Sequence, residues 1–217
     1  MHSTLADSLG HALSQMLLDH MDFITSPASW YTTIFEKPIY IVQAIQHMVP
    51  FMIRCRESVA KPRVFEFVRA LRTSPDTANL KIGAAGFCWG GLHTVKLAQD
   101  TPSSRVQRFG SEAGEVKPLI DAAFTAHPSM VKVPTDITGV TVPLSIAVGD
   151  IDVVMRFADV EKSKSILEKK GDDHEVVVYP GAKHGFAVRG DPKDPKQKER
   201  ADQAEEQAIG WFSKWLS

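Results

Sequence analysis

The stretch Lys81-Ile82-Gly83-Ala84-Ala85-Gly86-Phe87-Cys88-Trp89-Gly90-Gly91 decides how the rest of the chain is read. Residues 81–87 are an apolar run that predicts a short buried strand ending at Cys88, and residues 89–99 have helical character. The order is strand, sharp turn, helix. A side chain on so tight a turn is held clear of the sheet, and glycine two positions to either side lets the backbone and the neighbouring strand approach without a Cβ clash. This is the layout of a nucleophile elbow with cysteine in the serine place, and the N–H of Trp89 at the start of the helix would face a developing oxyanion. The competing reading is that Cys88 is a small buried hydrophobe, as most free cysteines are.

Moving toward the C-terminus, residues 119–126, 142–148 and 175–179 are apolar runs bounded by Pro, Gly and Asp, the pattern of strands buried on both faces of a parallel sheet. Residues 157–170 predict a crossover helix, and residues 196–216 a final helix that turns Ile209, Trp211, Phe212, Trp215 and Leu216 to the sheet. An elbow needs a base and an orienting acid, which follow in the order nucleophile, acid, base at the ends of later strands. After 142–148 comes Gly149-Asp150-Ile151-Asp152, where Asp152 is preferred to Asp150; either could instead cap a helix or close a turn. After 175–179 comes Pro180 to Phe186 with His184. Position selects His184 among eight histidines. His174 precedes its strand, His93 lies inside a helix, and His2, His11, His20 and His47 lie upstream. His127 ends its strand on the correct side and is expected to line the pocket or to be hydrogen-bonded for structure.

Toward the N-terminus, residues 60–71 predict an amphipathic helix opening on Pro62, and residues 39–53 a buried helix that ends or kinks near Pro50. That segment is too short and too polar to span a bilayer. Residues 1–18 lack a basic start followed by an unbroken apolar run, so no signal peptide is read and a cytoplasmic location is expected. The 217 residues suit one domain over 1–217. With 25 Lys and Arg against 26 Asp and Glu, no positive field exists to gather nucleic acid or anionic membrane, and a small molecule is the expected partner. Only Cys55 and Cys88 occur, too few for a disulfide framework and without the spacing of a zinc site.

Gly86-Phe87-Cys88-Trp89-Gly90-Gly91, Gly149 with Asp152, and His184-Gly185-Phe186 together resemble the dienelactone hydrolase family, from about Ser29 to the C-terminus. Lys61-Pro62-Arg63 and His127-Pro128-Ser129 resemble its fungal members. The resemblance implies an α/β-hydrolase fold, a mostly parallel sheet flanked by helices, acting on an enol-lactone or related ester with no metal or organic cofactor. It implies that Cys88 attacks the carbonyl, His184 moves the proton and Asp152 holds the imidazole, in aromatic-compound breakdown or fungal secondary metabolism. His127, Phe186 and Arg189 are expected beside the substrate. The family's carboxylate-binding arginine stands four residues after the catalytic histidine; here Val188 holds that place and Arg189 follows.

The family also has strands before the elbow strand for which this sequence offers only residues 1–28, so those strands are expected to be missing. With them would go a second oxyanion N–H and a glutamate that governs the resting thiol. The elbow strand would then be an open apolar edge, inviting a homodimer or marking an incomplete product. Two readings compete with the hydrolase: a non-catalytic remnant acting as a binding protein or without function, and a redox-sensing thiol.

Overall fold

The computed structural model describes Phe23, Thr32 and residues 36–217 other than residue 192. The reading of residues 1–18 lies outside the described residues. Contacts divide the chain into two compact units, Met1–Pro62 and Arg63–Ser217.

In the first unit, α1 (Lys37–Arg54) runs through Pro50 without ending there. Among its apolar residues Ala44 alone is buried, while Ile39, Val42, Ile45, Val49 and Ile53 are exposed. The expected buried helix is thus a helix, but not a buried one. Apolar content predicts burial only where a second apolar surface meets it. Helix α2 (Glu57–Thr73) begins before the predicted residue 60, and Pro62 lies within it; its residues from Arg63 onward belong to the second unit.

The second unit holds a four-stranded parallel sheet. Its strands are β1 (Gly83–Phe87), β4 (Ala122–Ala126), β5 (Leu144–Gly149) and β6 (His174–Tyr179), side by side in that order. Alternation along the strands feeds two cores. Ala123, Leu144, Ile146 and Val148 turn to one face, with Val95 and Leu97 of α3 (Trp89–Ala98) and Val160 and Leu167 of α5 (Phe157–Glu168). Ala122, Phe124, Ala126, Ala147 and Tyr179 turn to the other, with Ala204 and Trp211 of α7 (Pro195–Leu216). Strands covered on both faces cannot show polar alternation, which explains their unbroken apolar runs. Asp194 caps α7 by accepting from the N–H groups of Lys196 and Gln197, with Pro195 in the first turn.

Strand β1 is an exception. No described strand pairs with its outer side, and most of its residues are partly or fully exposed rather than buried. Its start is pinned by Arg72, which is fully buried and donates to the carbonyls of Leu119 and Leu80 and to the Asp121 carboxylate. Asp121 in turn accepts from the Ile82 N–H. A small antiparallel hairpin, β2 (Val106–Gln107) with β3 (Val116–Lys117), lies in a stretch where no strand was predicted; the short helices α4 (Thr135–Thr138) and α6 (Phe186–Arg189) complete the unit.

Candidate active site

Cys88, Asp152 and His184 follow β1, β5 and β6, so all three stand at the carboxyl ends of parallel strands, where the loops of such sheets converge. Cys88 has φ 51° and ψ −118°, a conformation few non-glycine residues adopt. Its neighbours make the turn fit. A Cβ on Gly86 would lie 2.2 Å from Thr94 Oγ1 and 2.5 Å from the Gly90 carbonyl oxygen. A Cβ on Gly91 would lie 2.4 Å from Thr125 Oγ1 and 2.7 Å from Pro128 Cβ, whereas one on Gly90 would meet nothing within 4 Å. The second close approach at the elbow therefore belongs to Gly91, not to the predicted Gly90.

His184 Nε2 lies 3.2 Å from Cys88 Sγ, and His184 Nδ1 lies 2.9 Å from Asp152 Oδ2 and 3.1 Å from Oδ1. Asp152 is 4% exposed and also accepts from the N–H groups of Val154 and Met155. Asp150 does something else: its carboxylate accepts from the Gly181 N–H. Position along the chain therefore separates two acids only two residues apart. Asp152 reaches the imidazole, and Asp150 ties the loop after β5 to the loop that carries His184.

Charge follows the geometry. Burial alone would raise the Cys88 thiol, but the hydrogen bond and charge of His184, with Ser129 and the Trp89 N–H, outweigh it and bring Cys88 down to about 7. Burial would lower His184, but Asp152 and Cys88 together raise it to about 9. Burial would likewise raise the Asp152 carboxyl, and the hydrogen bond and charge of His184 hold it below its ordinary value. Between these values the sulfur is a thiolate facing an imidazolium, the form in which cysteine attacks.

Matches to known proteins bear on the family and the fold. Residues 40–216 match the dienelactone hydrolase family. The chain belongs to that family. Hydrolase tropI of Talaromyces stipitatus is 29% identical over 136 residues, which cover 63% of this chain and 46% of that protein. The human carboxymethylenebutenolidase homolog is 26% identical over 144 residues, covering 63% and 49%. The chain spans about half the length of these curated relatives. The dienelactone hydrolase of Anabaena variabilis superposes with a TM-score of 0.51 at 19% identity, covering 84% of this chain and 69% of that one. A dienelactone hydrolase-like promiscuous phosphotriesterase, P91, superposes with 0.54 at 16%, covering 81% and 67%. These likenesses carry the α/β-hydrolase fold of the family.

The other expected site residues fall into two places. His127, the residue after β4, is wholly buried, and its ring centre lies 5.1 Å from that of His184. It offers no exposed atom to a substrate, and neither ring nitrogen has a partner among the described residues. Burial, reinforced by the charges of His184 and Arg189, lowers it to about 3, so it is neutral. Phe186, 7% exposed, packs against His127, ring centres 5.9 Å apart, and against Tyr179. Both back the site rather than line an open surface.

Arg189 is exposed and folds back over the preceding backbone turn: a Cβ built on Gly185 would lie 2.6 Å from its Nε. Its guanidinium thus lies against the backbone of Gly185, the residue after His184, while Val188 is 55% exposed. Sequence reasoning gave Ser129 no role, yet its Oγ lies 3.7 Å from Cys88 Sγ. Its signal was present in His127-Pro128-Ser129, which served only to mark a resemblance. Among the described residues, no three His, Cys, Asp or Glu side chains come together in a way that could hold a metal ion, and no helix is long and apolar enough to cross a membrane.

Proposed function

We propose that this chain is a thiol hydrolase that opens a small lactone or cleaves a related ester through Cys88, His184 and Asp152. The carrying observation is the unbroken line from sulfur to imidazole to carboxylate, 3.2 Å and 2.9 Å long, at the carboxyl ends of the strands. The Cys88 thiolate attacks the carbonyl carbon, and the carbonyl π electrons move to oxygen, which the Trp89 N–H stabilises. Collapse of that adduct breaks the bond to the leaving oxygen, which takes the proton from His184 Nε2 and leaves an acyl thioester beside a neutral imidazole. His184 then removes a proton from water as the water oxygen attacks the thioester. The second adduct expels Cys88 as thiolate, restores the imidazolium and releases the acid. Asp152 holds the Nδ1 proton throughout and stabilises the charged ring.

Arg189, exposed and lying against the backbone of Gly185 next to His184 in the chain, is the group suited to a substrate carboxylate, taking over from Val188. His127 and Phe186 support the imidazole from behind. The test is hydrolysis of p-nitrophenyl acetate and of a dienelactone, with burst and steady-state phases, beside Cys88→Ala and Cys88→Ser. Turnover that vanishes in Cys88→Ala supports the reading. A folded chain with no turnover on either substrate overturns it in favour of a non-catalytic member of the fold, and a sulfenic acid formed on mild peroxide without turnover would favour a redox sensor. We also propose that the outer side of β1, which no described strand covers, pairs with a second copy of the chain.

A further inference from the structure

The loop after β4 is fastened to the elbow at every step. The Cys88 N–H donates to the Ala126 carbonyl at 3.3 Å, and the Ser129 N–H donates back to the Cys88 carbonyl at 2.9 Å. Between them Pro128 fills the space that a side chain on Gly91 would need. The His127 N–H is held by the Ala147 carbonyl at 2.7 Å, and the loop turns through positive φ at His127 (39°) and Met130 (63°). Ser129 is therefore fixed by the nucleophile's own backbone. Its side chain is 8% exposed, and its hydroxyl makes one hydrogen bond among the described residues, to Cys88 Sγ.

A hydroxyl beside a thiol can donate or accept, but beside a thiolate it can only donate, and a bond to a charged acceptor is the stronger one. We propose that Ser129 is a positioning residue for Cys88, whose hydroxyl donates to the sulfur and holds it as a thiolate aimed at His184. His184 supplies the opposing charge, and Ser129 binds the same sulfur with no proton to exchange. The serine therefore donates to the resting thiolate and again to the thiolate as it is expelled, while the thioester sulfur between these stages is a weak acceptor. The inference rests on the reading of Cys88 as the nucleophile, but it concerns the ionisation of the sulfur, which can be measured without turnover.

The experiment is the rate of iodoacetamide alkylation against pH, followed by mass spectrometry on the Cys88 peptide so that Cys55 does not contribute, in the full chain and in Ser129→Ala and Ser129→Thr. Circular dichroism checks that each variant is folded. The wild-type midpoint is expected near 7. Ser129→Ala should raise it by about half to one unit, slowing alkylation at pH 6.5 by about three- to eightfold, as loss of one charge-assisted hydrogen bond implies. Ser129→Thr, which keeps the hydroxyl, should return most of the shift. An unmoved midpoint in Ser129→Ala, or equal shifts in the two variants, overturns the proposal. Absence of ester turnover beside a midpoint that moves only in Ser129→Ala would sink the hydrolase reading and leave this one standing.

Discussion

A thiol that ionises near 7 beside an imidazole that keeps its proton to about 9 sets the pH range in which attack and leaving-group protonation coexist. Below about 7 the sulfur takes up a proton and the nucleophile is lost; above about 9 His184 gives up the proton that the leaving alkoxide needs. Lactone turnover should therefore rise through the first value and fall through the second, and kcat/KM measured from pH 5 to 10 checks both limbs. Asp152→Asn should keep the hydrogen-bonded geometry but lose the charge, moving the alkaline limb downward and costing about 10³–10⁴ in kcat, by analogy with other triads. Cys88 directly follows β1, and Asp152 and His184 lie in the loops after β5 and β6, so chain order brought all three forward as candidates, although it left Asp150 open beside Asp152. Ser129 and the resting place of Arg189 were not legible in the sequence. One depends on a loop that turns through positive φ onto the elbow, where His127-Pro128-Ser129 marked a resemblance but not a contact, and the other on a guanidinium folding back over Gly185.

At the scale of the element, the elbow depends on how closely α3 can approach β4 and the loop that follows it. Gly91→Ala would drive a methyl onto Thr125 Oγ1 and Pro128, and overpacking of this kind costs about 1–3 kcal/mol. Gly90→Ala points into open space and should be neutral or stabilising by up to about 1 kcal/mol, since alanine is the better helix former. Urea denaturation of the two variants measures the contrast, and equal stabilities would show that the loop yields to α3. Arg72→Met would remove the buried guanidinium that pairs with Asp121 and donates to the Leu119 and Leu80 carbonyls; because Arg108 still pairs with the partly exposed Asp121, the cost should come mainly from the two orphaned carbonyls, about 1–3 kcal/mol. The elements themselves were largely legible, because strands buried on both faces and an elbow helix announce themselves by apolar runs and glycine. The exposure of α1 was not, since hydrophobicity says that a helix seeks a partner without saying which surface provides it. The β2–β3 hairpin was missed because its two-residue strands are too short to show a period.

At the scale of the whole molecule, the open side of β1 is the feature with the widest consequence. That β1 would stand at an edge was read from a family resemblance, not from its own residues, which spell a buried strand. In a parallel ladder, alternate residues bond to a given neighbour. The Ile82 carbonyl accepts from Asp121 and the Cys88 N–H donates to Ala126, so even-numbered residues face β4 and the backbone groups of Ala85 and Phe87 turn outward. Phe87 is 39% exposed beside them, which gives a paired strand apolar surface to cover as well as hydrogen bonds to complete. If a second copy supplies that strand, sedimentation should show a dimer that strengthens with concentration. Ala85→Pro then removes an outward N–H without breaking a bond to β4, so it should shift the chain to monomer. The same variant reports on the site, because Cys88 directly follows β1: alkylation of Cys88 should keep its midpoint near 7 if the elbow needs only β4 for support. A wild-type chain that sediments as a monomer at every concentration would remove the pairing and leave the β1 edge open in solution.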